Sequence, residues 1–136
     1  MPTPAEEQQA QAADNYYYAC LYNMLVLFAA SPHYLSTLAG PGFEVPFEME
    51  TEFLCAFAEP GFGAVFHSGK VAEEVRSELL AFKKEVAALP GALWQWEAIK
   101  TNDGWQPIRA RAEQLLRKLG ENRREYDFDF TTIFEV

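Results

Sequence analysis

"YYYACLYNMLVLFAAS", residues 16–31, is apolar from Tyr16 to Ala30 except for Asn23. At roughly 100° per residue, Tyr17, Leu21, Met24 and Phe28 fall on one side of a helix and Tyr16, Cys20 and Leu27 on another. A helix that is apolar on nearly every face belongs inside a protein, touched from several directions. Asp14 or Asn15 can cap its start, and Ser31-Pro32 stops it. The run is shorter than the roughly 20 residues a bilayer crossing needs, and Asn23 interrupts it, so it reads as a core element and not a membrane span.

The neighbouring segments supply what would surround that helix. "HYLSTLA" suggests a short helix before Gly40-Pro41-Gly42. "EMETEFLCAFAE" places Phe53, Leu54 and Phe57 three and four apart, with Glu48 and Glu52 sharing the opposite face. From 70 to 89, Val71, Val75, Leu79, Phe82, Val86 and Leu89 form a stripe, with Ser68 available as its cap. "ALWQWEAIK" and "WQPIRARAEQLLRKLG" flank the turn "TNDG" and make an αα-hairpin, with Gly120 placed to end the second helix. In "YDFDFTTIFEV" the period drops to two, the mark of a strand with one apolar and one acidic face. The expected fold is mainly α: a compact bundle of about four to five helices with a C-terminal β-strand or extended arm. That strand has two intramolecular mates on offer, near 43–47 or 63–67, which would make the fold α+β. Residues 1–14 read as a flexible polar leader, frayed or loosely helical, and 15–136 as a single globular domain.

Charge is distributed unevenly along the chain. The net charge is −9, and before Lys70 there is no Lys or Arg against eight acids, whereas 11 bases face 12 acids from Lys70 onward. An acidic half repels phosphates, which excludes nucleic acid as the partner of this region and favours a basic protein surface. Eleven Phe, six Tyr and three Trp in 136 residues exclude a disordered chain. Cys20 and Cys55 lie in apolar runs without zinc or redox spacing and read as free buried thiols. The first residues carry no positive charge and no apolar core of a signal peptide, so a cytoplasmic location is expected.

Catalytic signatures are missing from the sequence. No phosphate loop, dinucleotide fingerprint or serine-nucleophile elbow is present. Glu48 and Glu52 stand i, i+4, but a helical carboxylate metal site would add Glu-x-x-His motifs, and none occurs. His33 and His67 could join Cys55 and a glutamate in a metal-dependent or Cys–His site only through the fold, since no pair has ligand spacing. The expectation is therefore a non-enzymatic protein without cofactor or metal. Its partner-binding surface would comprise Glu44, Glu48, Glu50 and Glu52 with Tyr16, Asp127 and Asp129: carboxylates to steer a cationic partner, and rings to hold it.

A small acidic single domain of mostly helical pattern, with acid–aromatic stretches such as "FEMETEF" and "YDFDF", resembles the immunity proteins of bacterial toxin systems. The resemblance lies in general character and includes no diagnostic motif, so no residue role is carried over from it. It implies tight binding to a co-expressed toxin domain, often over that toxin's active site, the toxin being frequently basic because it acts on nucleic acid. A monomer or weak homodimer without membrane attachment is expected. The alternatives are a helical scaffolding domain or homo-oligomer, and an enzyme or small-ligand binder using His33 and His67.

Overall fold

A computed structural model describes residues 1–131 and Phe134. Among these the fold is mainly α. Seven α-helices follow one another: α1 (Pro4–Ala29), α2 (Pro32–Leu38), α3 (Val45–Phe57), α4 (Gly61–His67), α5 (Arg76–Ala87), α6 (Trp96–Thr101) and α7 (Gln106–Lys118). No described helix is long and apolar enough to cross a membrane.

The apolar run forms the axis of the molecule. Every residue of α1 from Tyr18 to Phe28 is buried, because α7, α3 and α4 all pack against it. Phe28 joins the two halves of the chain. Its ring lies 5.9 Å from Phe53 on α3, 5.8 Å from Phe82 on α5 and 6.1 Å from Trp105 before α7. The polar segment from Pro4 continues the same helix outward, exposed on all sides, with the Thr3 side chain accepting from the Glu6 N–H. Gly61 lets α4 approach α1 closely: a Cβ there would sit 2.6 Å from the Tyr17 ring. The expected stripe on α5 is buried at Val71, Val75, Leu79, Phe82 and Val86, although regular α-helix begins only at Arg76 and Ser68 closes α4 instead.

The helix count exceeds the expected four to five, and neither proposed strand mate is a strand: 63–67 lies in α4, and 45–47 are the first turn of α3. At 43–47 the alternation of Phe43, Val45 and Phe47 spans too few residues to hold a strand. Pro46 suits a first helical turn, and Val45, Met49, Phe53, Ala56 and Phe57 form a buried stripe with helical spacing. Only an isolated bridge, Gly40 with Phe43, precedes it. At 63–67, Phe62, Val65 and Phe66 fall on one buried face of α4.

The C-terminal segment is an arm and not a strand over its described length. Gly120, at φ +81°, ends α7 with Glu121 N–H donating to the Leu116 carbonyl and Gly120 N–H to that of Arg117. Beyond it the backbone finds side chains in place of a neighbouring strand. Tyr22 Oη donates to the Glu125 carbonyl at 2.7 Å, and Tyr126 N–H donates to Tyr34 Oη at 2.9 Å. The fully buried Asn23 takes both backbone groups of Asp127, donating from Nδ2 to its carbonyl (2.9 Å) and accepting its N–H (2.8 Å). Four residues of the expected strand, Thr132, Ile133, Glu135 and Val136, lie outside the described residues.

Candidate functional site

Helix α3 has an anchored inner face and an outer face left to solvent. The inner stripe fixes its position against α1. Outside, Phe47, Glu50 and Leu54 fall at i, i+3 and i+7, with Phe47 64% and Leu54 61% exposed. Phe47 shares a shallow hollow with Glu44, Glu48 and Gly42. Glu50 and Leu54 border a second one, whose far wall is Val86, Gly91 and Trp94.

The arm extends this face. Phe43, just ahead of Glu44, stacks edge-on against Tyr126 (5.7 Å) and Phe128 (6.4 Å), and Phe128 is 63% exposed. Tyr16, half-exposed on α1, packs on Phe130 at 5.4 Å. Asp129 is exposed, its N–H donating to Asp127 Oδ1.

No Lys or Arg among the described residues forms an ion pair with an acid that precedes it in the first 69 residues. The ion pairs shown join acids and bases of the later half, such as Arg124 with Glu113 (2.8 Å) and Arg111 with Glu85 (3.3 Å). Glu44, Glu48 and Glu50 therefore stand without an ion-pair partner among the described residues, beside exposed apolar side chains. An acid and an apolar group on one rigid helix face suit protein docking, since the first steers and the second is desolvated on contact.

Two expected surface acids are inside. Glu52 is 6% exposed, because the period of α3 carries it under the arm, where Tyr126 Oη donates to its Oε1 at 2.7 Å. Burial pushes the Glu52 carboxyl above its ordinary value; the Tyr126 hydroxyl draws it partly back, and Glu48 pushes it up again. Asp127 is 4% exposed, since Asn23 draws its backbone into the core, and Phe128 is turned outward in its place. The expected alternation is thus inverted at 127 and 128. Asn23 was the signal for this: an amide in the middle of an apolar run needs polar partners, and they come from a segment some hundred residues later.

The residues of the enzymatic alternative are not gathered. His33 on α2 and His67 on α4 are exposed, and no three His, Cys, Asp or Glu side chains among the described residues are placed to hold a metal ion. Cys20 is buried, its thiol pushed up to about 11 chiefly by burial, while Cys55 is exposed, with its thiol also raised. A raised thiol is the reverse of what a nucleophile requires. No family pattern, characterised protein or solved structure matches this chain.

Proposed function

We propose that this protein is a non-enzymatic binder that neutralises a basic protein partner through the outer face of α3, in the manner of an immunity protein acting on a cognate bacterial toxin. The single observation that supports this is the set of uncompensated carboxylates Glu44, Glu48 and Glu50 interleaved with exposed Phe47 and Leu54. The acids raise the local concentration of a cationic surface and orient it. Phe47 and Leu54, with Phe128 at the edge, provide the apolar area that slows dissociation once water is expelled. The partner would place Arg or Lys over the hollow between Glu44 and Glu48 and an apolar side chain against Phe47. Self-association through the same face is disfavoured, because a two-fold axis would set these glutamates against their own copies.

The test is affinity capture from the native cell at low salt, with wild type beside E44K/E48K/E50K. Wild type is expected to retain a protein of net positive charge, lost from the triple variant and on raising salt. Equal capture by both proteins, or capture only of neutral and acidic ones, would overturn the reading.

A further inference from the structure

The Glu52 carboxylate is buried and only partly satisfied. Its side chain is more than nine-tenths buried; Oε1 accepts from Tyr126 Oη, and Oε2 has no hydrogen-bond partner among the described residues. No cation faces it. The titratable groups around it are Tyr16 and Cys20 from α1, Glu48 and Cys55 from its own helix, and Tyr126 from the arm. None of these side chains is a base, so ionised Glu52 depends on one hydroxyl where water would supply several donors.

We propose that the C-terminal arm is a proton-controlled strap: neutral Glu52 keeps Tyr126 seated over α1 and α3, and ionised Glu52 favours lifting of the arm, which lets water reach the carboxylate. The seated state is the one the structure holds, and the lifted state is the one proposed. In the seated state a protonated carboxyl still accepts from Tyr126 Oη and no charge is buried. In the lifted state the carboxylate is hydrated, at the loss of the Asn23, Tyr34 and Tyr22 contacts to the arm backbone. The strap carries Phe128 and Asp129, so lifting it moves an exposed ring away from Phe43 and the α3 face. This holds whether or not α3 meets a partner.

The sign follows from the direction of the shift. Glu52 binds its proton more tightly when seated under the arm than when exposed. Proton release thus accompanies lifting, and opening rises with pH, by up to about tenfold per pH unit between the ordinary carboxylate value and the raised one. Glu113, which holds Arg124 at the root of the arm, acts in the opposite sense and at lower pH, since its carboxyl is held below the usual range by that guanidinium.

Amide hydrogen exchange at Tyr126 and Asp127, corrected for the intrinsic pH dependence of exchange, tests this in the full chain between pH 5 and pH 8. Wild type is expected to lose protection as pH rises, and Glu52→Gln, which keeps the acceptor for Tyr126 without a charge, to stay level. Carbon NMR of the Glu52 carboxyl gives a second readout: Tyr126→Phe is expected to raise its titration midpoint, because the hydroxyl stabilises the ionised form. Parallel exchange profiles for wild type and Glu52→Gln, or a midpoint unmoved by Tyr126→Phe, would overturn the proposal.

Discussion

Residues 1–69 and 70–131 fold around the same helix, yet they deal with their carboxylates differently. In the later half, acids find bases across the α5–α7 contact (Glu78 with Lys118, Glu85 with Arg111), at the start of α5 (Glu73 with Arg76), along α7 (Glu113 with Arg117) and between α7 and the arm (Glu113 with Arg124). In the earlier half, acids meet hydroxyls, amides or solvent, as where the Gly63 N–H donates to Glu59 and Tyr126 to Glu52. Cations from the later half do reach the earlier one, but they lie over rings. The Arg76 guanidinium is 4.3 Å from the Phe66 centroid and the Lys83 ammonium 5.6 Å from that of Phe57. Segregation of charge along the chain survives folding here because the contacts shown between halves are made by rings, aliphatic groups and hydrogen bonds to hydroxyls and amides, and none of the ion pairs shown joins an earlier acid to a later base.

If a shared apolar core unites the halves, the largest effect comes from the residue that touches both. Phe28→Ala should lower unfolding free energy by about 3–5 kcal/mol in urea denaturation, and both halves should melt in one transition. A loss under about 1 kcal/mol would mean that the halves are held together otherwise. Asn23→Ala, which strips two partners from the Asp127 backbone, should cost about 2–3 kcal/mol by the same measurement and speed amide exchange in the arm before the helices. Helix amides accelerating as much as those of the arm would contradict an arm that opens ahead of the helices.

Smaller effects distinguish the two treatments of charge. Glu113→Gln should destabilise by only about 0.2–1 kcal/mol, screened by salt, because the pair is partly exposed. Its contribution is present above the ordinary carboxylate value and fades as pH falls through the depressed one, so wild type and Glu113→Gln should converge in acid. Glu48→Ala should change stability by a few tenths of a kcal/mol at most, since no base is paired with it. A loss of about 1 kcal/mol or more would show that Glu48 has a compensating partner.

The helical character, the central place of α1, the buried stripe of α5 and the Gly120 stop were legible because each rests on local spacing. What was misread lay in runs too short to decide, or depended on distant contacts. The short alternation at 43–47 outweighed the longer helical stripe beginning at Val45, and the alternation at 126–130 gave no sign that Asn23 would claim the Asp127 backbone. Glu44, Glu48 and Glu50 could be read as surface acids from the imbalance of charge. Glu52, on the same helix, could not be separated from them until the arm lay over it. The exposure of Phe47, Leu54 and Phe128 was not legible, because sequence pattern tells where apolar faces are, not how many of them find cover.

The central claim, that uncompensated acids on α3 steer a basic partner, is tested most directly by the association rate of the captured protein as ionic strength is raised. Wild type should associate fast at low salt and slow steeply as charges are screened, while E44K/E48K/E50K should associate slowly with a flat or reversed salt dependence. Equal rates and equal slopes for the two proteins would contradict it.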